Sequence, residues 1–460
     1  MKHVAATQDK QWKNTLSVAW PLALNALLMQ AMLMIDTLLV APLGEAPLAG
    51  MGIAGTIVAF IMGLQMALAN GSQMLLSRAV GAKRMDYLVK HWHAGTLINL
   101  MLAIPCCLGL WLFGHNIVAL ITPLAAVQEQ AMAYMNIALL VLPINAITGV
   151  LTSLYNSHGL SRIPLQGYVY ELPLNAGLSW ILIFGIGPAP EMGLAGGAIG
   201  TVVAIVFRIF FLVKRLDMMP LLEDRFCLNW PSLKGYIKPH FWEIFPVAAN
   251  VGMLQTSIMV YQLLYAQLPL SQYAAITVLM PWIRMGSQAM TSWAQANAIV
   301  VSQTIGAEQM DRLPGLIKEG IWGSVLFSIA TSFIFLGISF SFAWTYPELQ
   351  QETLDALWQL TPLLVFLPLF RGYNTYHGHV LRALGDTTQV FKINFSGQWL
   401  FGIPLTAFVV FGWEASLFWA FAIQPLEEVV KAGPFTWQRM QAQKRLLAHG
   451  FATKLGPNAA

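Results

Sequence analysis

Charge is what this sequence has least of. Only 10% of its 460 residues are Asp, Glu, Lys or Arg, whereas 57% are hydrophobic. A soluble globular protein usually carries about 25% charged residues, so the scarcity of charge excludes a soluble domain and predicts a polytopic membrane protein. The net charge of +4 does not point to nucleic acid, because the basic residues lie in short loops between apolar runs.

Cysteine and catalytic motifs are scarce as well. Cys106, Cys107 and Cys227 form neither an even disulfide framework nor a metal-type spacing. No HExxH, GxSxG or P-loop spacing occurs, and no paired aspartates for Mg²⁺, so we do not expect an enzyme or a cofactor. The N-terminal stretch has no small-residue cleavage site, so we expect the first helix to be retained rather than removed as a signal peptide.

Long apolar runs are abundant. A helix that crosses the hydrocarbon needs about 20 mostly apolar residues. Twelve windows meet this need, which predicts an all-α protein with twelve transmembrane helices. The windows are 16–43, 50–76, 96–120, 130–155, 167–187, 193–213, 241–267, 272–301, 320–345, 355–381, 393–412 and 415–436.

The loops between these windows fall into two sets. One set, with "GEAPLAG", "TPLAAVQ", "GPAPEMG", "PLSQ", "TYPELQQETLD" and "GWE", has no Lys or Arg. The other set is basic and includes both chain termini. Its members are Lys10, Lys13, Lys83, Arg84, Lys90, Arg162, Lys214, Arg215, Lys234, Lys238, Arg312, Lys318, Lys392, Lys444 and Arg445. The positive-inside rule therefore predicts two cytosolic termini, in agreement with an even number of spans.

The chain contains an internal duplication. "SRAVGAKRMDYL" begins at Ser77 and "SQTIGAEQMDRL" at Ser302, 225 residues later, and "WPLALNALLMQ" aligns with "FPVAANVGMLQ" at the same offset. The same offset of 225 residues holds over two helices and a loop. This repetition predicts two six-helix lobes, an N-lobe of residues 1–220 and a C-lobe of residues 221–460. Because six spans separate the copies, we expect a pseudo-two-fold axis along the membrane normal, an arrangement typical of transporters.

Several motifs resemble the MATE (multidrug and toxic compound extrusion) family over nearly the whole length. They are "WPLALNALLMQAMLMIDTLLVAPLG", "SRAVGAKR", "LNAGLSWILIFGIGPAPEMGLAGGAIGTVVA" and "LRALGDT". The resemblance implies two lobes that form a V-shaped cavity, and export of organic compounds against an inward flow of H⁺ or Na⁺. This sequence departs from the family pattern in the C-lobe. Na⁺-associated members have acidic residues in the seventh and tenth helices, where this sequence has Leu254 or Gln255 and Arg371.

Asp36 is the one charge in the run "LLMQAMLMIDTLLVAPL". A carboxylate there costs about 2.5–3.5 kcal/mol on insertion scales. Its retention indicates an ion-coupling role, in which a change of charge biases the direction that the lobes face. The alternative is a structural carboxylate that is hydrogen-bonded to neighbouring helices. At the offset of 225 its mate is Tyr261, so the second half lacks this acid.

Three further residues are candidates for the same ion-coupling site. Asn175 and Ser179 are spaced i,i+4 on one face of the fifth helix. In the pattern that the resemblance implies, Asn175 matches a site residue, Ser179 stands where a second carboxylate is expected, and Thr201 in the sixth helix completes the cluster. Oxygen ligation of Na⁺, orientation of Asp36 and ordinary helix packing all remain open for them.

Other polar residues are candidates for the substrate cavity. Amides facing lipid would be unsatisfied, and buried arginines need partners or a polar cavity. The predicted cavity residues are Gln30, Gln65, Gln255, Arg284, Gln288, Arg371 and Tyr373. Pro21 and Pro246, equivalent in the two copies, are predicted hinges or fixed kinks. Glu171, Glu414, Glu427 and Glu428 lie nearer span ends and are predicted to be interfacial.

These features predict a cation-coupled antiporter in the cytoplasmic (inner) membrane of a prokaryote, working as a monomer on small amphipathic organic molecules. Its partners would be the substrate and membrane lipid, with H⁺ or Na⁺ as coupling ion and no nucleic acid. Alternatives are an exporter of an anionic metabolite or siderophore and a lipid-linked precursor flippase, which the two arginines favour and Asp36 disfavours. A purely structural subunit gives no reason for Asp36 or for the duplication.

Overall fold

The computed structural model describes residues 2–218, 230–346, 349–412 and 417–449, and every element in these ranges is helical. The α-helices are α1 Lys2–Val40, α2 Glu45–Gly81, α3 Met85–Ile121, α4 Ala125–Ala138, α5 Val141–Ser157, α6 Arg162–Phe184, α7 Leu194–Lys214, α8 Trp230–Tyr265, α9 Leu270–Gly306, α10 Leu313–Thr345, α11 Gln351–Ala383, α12 Thr387–Phe395, α13 Ile403–Ala407 and α14 Leu417–His449. Two π-helical segments, Ser396–Gly402 and Phe408–Gly412, flank α13.

The predicted spans correspond to these helices. Within the described ranges, eight helical stretches are long and apolar enough to cross a membrane, and the bent pair α4–α5 makes a ninth. Helices α6, α9 and α14 are also long enough, with 23, 37 and 33 residues, but are less apolar. Together they make the twelve spans predicted from the sequence, with α12, α13 and the π-helical segments forming the eleventh.

The fourth span differs from its prediction as one helix over 130–155. Helices α4 and α5 meet at an angle of 43°. Pro143 stands in the first turn of α5. Because proline has no N–H, it cannot donate the helical hydrogen bond to the carbonyl of Leu139, and the helix bends at this point.

The described residues form two compact units. The first unit runs from Leu24 to Ala248, and the second contains the residues up to Ala23 and those from Ala249 onward. Helices α1 and α8 therefore each contribute to both units. The predicted lobe boundary at residues 220 and 221 lies outside the described residues.

Each unit has its own apolar core. In the first unit, α2 packs against α3, α4 and α5 around buried residues such as Ala54, Ala103 and Met135. In the second unit, α8, α9, α10, α11 and α14 contribute to one cluster around Tyr265 and Phe421. Because these apolar cores exclude water, polar residues inside each unit must find their hydrogen-bond partners among one another.

Candidate ion-coupling site

Asp36 lies on α1, one turn before this helix ends at Val40, and its side chain is half-buried. In the part of the chain that the structure describes, no salt bridge from a Lys, Arg or His side chain reaches this carboxylate. The charge is therefore not compensated by a neighbouring cation, and neutral groups are its hydrogen-bonding partners.

The three other residues predicted for this site lie in one hydrogen-bonded group with Asp36. The Asn175 side-chain N–H donates to Asp36 Oδ1 at 2.9 Å. The hydroxyls of Ser179 and Thr201 lie 3.2 and 3.3 Å from Asn175 Oδ1 and donate to it. The structure thus joins residues of α1, α6 and α7, although their role in ion coupling stays a prediction.

Close packing of α6 against α7 makes this arrangement possible. A Cβ atom added at Gly200 would lie only 2.8 Å from the backbone nitrogen of Ser179. Glycine at this position therefore lets the two helices approach and brings the neighbouring Thr201 to the amide of Asn175. The motif "GLAGGAIGTVV" carries this requirement in the sequence.

The orientation of the Asn175 amide limits the chemistry of the site. The hydroxyls of Ser179 and Thr201 lie within hydrogen-bond distance of Asn175 Oδ1 and also of the Gly197 carbonyl oxygen, at 3.4 and 3.1 Å, while the amide N–H points at Asp36. An N–H can donate to a carboxylate oxygen whether or not the other oxygen carries a proton. A cation that used the amide oxygen as a ligand would need that oxygen to turn toward it. The observed orientation is compatible with protonation of the other Asp36 oxygen.

A second polar cluster lies inside the second unit. Lys431 Nζ on α14 is 2.8 Å from Glu427 Oε1 and 3.2 Å from Glu428 Oε2. Arg371 Nε on α11 lies 3.5 Å from Glu428 Oε1. The hydroxyl of Tyr261, the repeat mate of Asp36, donates to Glu427 Oε2 at 2.7 Å.

The prediction that the four glutamates are interfacial is wrong for three of them. Glu171, Glu427 and Glu428 are buried. Glu171 Oε2 accepts from Arg208 Nη1 at 2.7 Å, which joins α6 to α7. Buried carboxylates are retained because basic partners on the same or a neighbouring helix compensate them. Glu414 lies outside the described residues.

The predicted cavity residues do not share one environment. Gln65 is buried, donates to the carbonyl of Leu142 at 2.8 Å and accepts from Asn145 at 3.1 Å, which is a structural use of the amide. Tyr373 is half-buried, and its hydroxyl lies 2.8 Å from that of Thr436. The side chains of the remaining members are exposed or half-buried: Gln30, Gln255, Arg284, Gln288 and Arg371.

Both predicted hinge prolines lie inside helices that continue past them. Pro21 is buried within α1 and Pro246 is half-buried within α8. Each proline removes one backbone hydrogen bond from its helix. Hinge motion at these positions stays a prediction.

Sequence reasoning missed Lys431 and Asn374. Lys431 follows Glu427 by four residues, a spacing that places the two side chains on one helix face, so this pair was readable from the sequence. Asn374 donates to the backbone carbonyl and to Oε2 of Glu428 at 2.7 and 2.8 Å. No local pattern signals that contact, because it joins α11 to α14.

Twelve apolar spans, a duplicated chain and an uncompensated carboxylate inside a span are features typical of secondary transporters. The profile of the MatE family matches residues 21–181 and 246–408, two segments that begin 225 residues apart, as the internal duplication does. Together these segments cover more than half of the chain. The chain belongs to the MatE family of multidrug efflux transporters.

Similar proteins agree with this assignment. The probable multidrug resistance protein NorM of Streptococcus pneumoniae (strain ATCC BAA-255 / R6) is 26% identical over 298 residues, which is 63% of each chain. The match thus spans less than two thirds of that curated relative.

Two solved structures share the fold. The Vibrio cholerae MATE transporter VcmN in its bent form has a TM-score of 0.84 at 18% identity, over 95% of this chain and 98% of that one. The eukaryotic MATE transporter AtDTX14 has a TM-score of 0.80 at 21% identity, over 95% and 99% of the two chains.

Proposed function

We propose that this protein is an H⁺-coupled antiporter that exports small amphipathic organic compounds by alternating access. Its carrier is Asp36. The relative from Streptococcus pneumoniae is named as a probable multidrug resistance protein, which supports several organic compounds as substrates.

The observation that carries this proposal is the uncompensated Asp36 carboxylate. Its hydrogen bond comes from a neutral amide, and the described residues place no cation beside it. A carboxylate in such surroundings can exist in a charged and a neutral form without breaking an ion pair. Binding of a proton then biases the equilibrium between outward-facing and inward-facing states, because the two states expose the group differently.

The choice of H⁺ over Na⁺ rests on the amide of Asn175. Turning that amide's oxygen toward an ion beside Asp36 would take it away from the hydroxyls of Ser179 and Thr201, which would then have the Gly197 carbonyl oxygen as their acceptor. A proton needs no such rearrangement. H⁺ is therefore the coupling ion that the geometry supports best, and Na⁺ is the rival that the experiment below separates.

The basic loops support a cytoplasmic-membrane protein with both termini in the cytosol. In this orientation the C-terminal part of α1, which carries Asp36, lies toward the outer side of the membrane. An inward proton flow would reach the carboxylate from that side. The protein works as a monomer, and each copy contains both lobes.

Arg284 supports a second candidate, export of anionic compounds or flipping of a lipid-linked precursor. It lies in the middle of the 37-residue α9, its side chain is exposed, and in the described ranges it makes no ion pair. Because an arginine facing hydrocarbon is costly, this guanidinium is available to an anionic group of a substrate.

Transport in everted membrane vesicles tests both candidates. We would compare wild type, Asp36→Asn and, as a matched control, Glu45→Gln, which removes an exposed carboxylate at the start of α2. A fluorescent lipophilic cation and a fluorescent organic anion would be offered separately. Each would be driven by a proton gradient or by a Na⁺ gradient.

We expect cation uptake to depend on the proton gradient, to be lost in Asp36→Asn and to persist in Glu45→Gln. Uptake driven by Na⁺ alone would overturn the coupling ion. Normal transport by Asp36→Asn under both gradients would overturn the mechanism. Uptake of the anion but not the cation would establish the second candidate.

A further inference from the structure

The second unit contains a compact arrangement of acidic oxygens around one ammonium group. Lys431 lies between Glu427 and Glu428, at N–O distances of 2.8 and 3.2 Å, and all three side chains are at least nine-tenths buried. Both carboxylates come from the helix that carries the lysine. A single turn of α14 therefore supplies both the ammonium group and the two carboxylates that bind it.

Neighbouring helices complete the arrangement with polar groups. Tyr261 of α8 donates to Glu427 Oε2 at 2.7 Å. Asn374 of α11 donates to Glu428 Oε2 at 2.8 Å, while its own Oδ1 is buried without a hydrogen-bond partner.

The backbone opposite α14 is shaped to the lysine and its partners. The π-helical segment Ser396–Gly402 has buried glycines near both ends. A Cβ at Gly397 would lie 2.6 Å from Lys431 Cδ, and a Cβ at Gly402 would lie 2.6 Å from Glu427 Oε2. Single-turn π segments inside helices are frequent at functional sites. Here the glycines make room for the ammonium stem and for the carboxylate.

The charges of the site balance only because Lys431 is present. With Arg371 included, two carboxylates face two basic groups. Without the lysine, the site would have two carboxylates, the hydroxyl oxygen of Tyr261 and one excess negative charge. Oxygen ligands of this kind suit hard cations, and a buried excess charge is strongly disfavoured unless an ion or a proton compensates it.

We propose that the Lys431 ammonium is a built-in cation that fills an oxygen-lined site of the second unit, and that a free monovalent cation, Na⁺ or K⁺, binds there once the ammonium is removed. In the native chain this site exchanges no ion. Asp36 is then the carrier of the exchangeable charge; this consequence rests on the proposed function, whereas the cation site does not.

Binding to the purified full-length protein tests the site without any transport measurement. All variants would carry Asp36→Asn, so that binding at Asp36 cannot contribute. The melting temperature would be measured in equal concentrations of sodium, potassium or choline chloride, in a mildly alkaline buffer that disfavours carboxyl protonation. Binding of radiolabelled sodium and rubidium would be measured in parallel.

We expect Lys431→Met to melt higher in sodium or potassium than in choline, by on the order of 2 °C, and to bind about one labelled ion per chain. The parent with Lys431 intact should show neither effect. Glu427→Gln combined with Lys431→Met is the matched control, because it removes the excess charge, and it should lose the salt preference.

Equal melting temperatures in the three salts, with no labelled ion bound, would overturn the proposal and indicate that a proton replaces the ammonium. Should Lys431→Met fail to fold, Lys431→Gln keeps a hydrogen-bond donor in an uncharged side chain that is one atom shorter. Folding of either variant only when sodium or potassium is present would support the site. Failure of both in all salts would overturn it, since a free ion could not then take the place of the ammonium.

Discussion

Two acidic clusters, one in each unit, handle charge in opposite ways. In the first unit, Asp36 is hydrogen-bonded to a neutral amide, and no basic group among the described residues compensates it. In the second unit, Glu427 and Glu428 share the ammonium of Lys431. A carboxylate without a fixed counter-ion can gain and lose a cation, whereas a compensated pair resists any change of charge because each partner would be left buried and unpaired.

The internal duplication sharpens this contrast. Asp36 and its mate Tyr261 occupy equivalent positions in the two halves, and both make a hydrogen bond to a polar residue of a neighbouring helix. The Asp36 carboxylate accepts a hydrogen bond from Asn175, whereas the Tyr261 hydroxyl donates a hydrogen bond to the carboxylate of Glu427. Duplication thus kept a polar position on the first helix of each half but left only one of the two with a readily titratable group.

The largest expected effect is on transport, and it separates the two clusters. Asp36→Asn should lower proton-driven efflux by roughly tenfold or more, because the equilibrium between the two states would no longer respond to protons. Glu427→Gln should retain most of the efflux per folded molecule. Rates would be measured in vesicles and normalised to folded protein. Equal losses in the two variants would mean that both clusters carry the coupled charge.

The next largest effect is on stability, where a change in the second cluster should matter more than a change at Asp36. Lys431→Met, measured in choline salts, should lower the free energy of unfolding by about 3–5 kcal/mol, because it leaves two buried carboxylates with less compensation. Asp36→Asn should change it by less than about 1 kcal/mol, since it removes a charge that has no ionic partner. Denaturation of both variants in the same detergent gives the comparison. A larger loss for Asp36→Asn would show that its carboxylate is structural.

A smaller effect is expected at the amide beside Asp36. Asn175→Ala removes a hydrogen bond to Asp36 that is worth about 1.5 kcal/mol, so efflux should fall by about tenfold. Asn145→Ala, which breaks a bond to Gln65 elsewhere in the same unit, is the matched control and should transport nearly as wild type. Similar rates for the two alanine variants would remove Asn175 from the coupling site.

The smallest effect is expected at Thr201. Thr201→Val keeps the shape of the side chain but removes a hydroxyl that donates to Asn175 at 3.3 Å. Since Ser179 still holds the amide in place, the change should cost about 0.5–1 kcal/mol and reduce efflux only about two- to fivefold. A loss as large as that of Asp36→Asn would indicate that the threonine hydroxyl ligates the transported ion itself.

Much of this arrangement was readable in the amino-acid sequence. Apolar length predicted all twelve spans, and the shared register of "SRAVGAKRMDYL" and "SQTIGAEQMDRL" predicted the duplication that the two MatE matches repeat. Asp36 was conspicuous because a lone charge in an apolar run is costly. Its grouping with Asn175 and Thr201 followed from the family resemblance, and the i,i+4 spacing placed Ser179 on the same face as Asn175.

Other features depended on contacts between distant helices. The burial of Glu171 was not predicted because its partner Arg208 lies 37 residues away on α7. Gln65 was assigned to the substrate cavity, yet both ends of its amide bond to α5. An apolar pattern tells which residues enter the membrane, but it does not tell which polar side chains meet inside it.

By itself, then, the sequence determined the number of spans, the two-fold repetition and the presence of one exceptional acid, because each depends on local hydrophobicity or on direct comparison of the chain with itself. Tertiary structure alone decided which charges are compensated from another helix. Arg208 on α7 meets Glu171 on α6, Arg371 on α11 meets Glu428 on α14, and no basic group of the described chain meets Asp36. Compensation depends on distances of a few ångströms between side chains from different helices, and packing sets those distances.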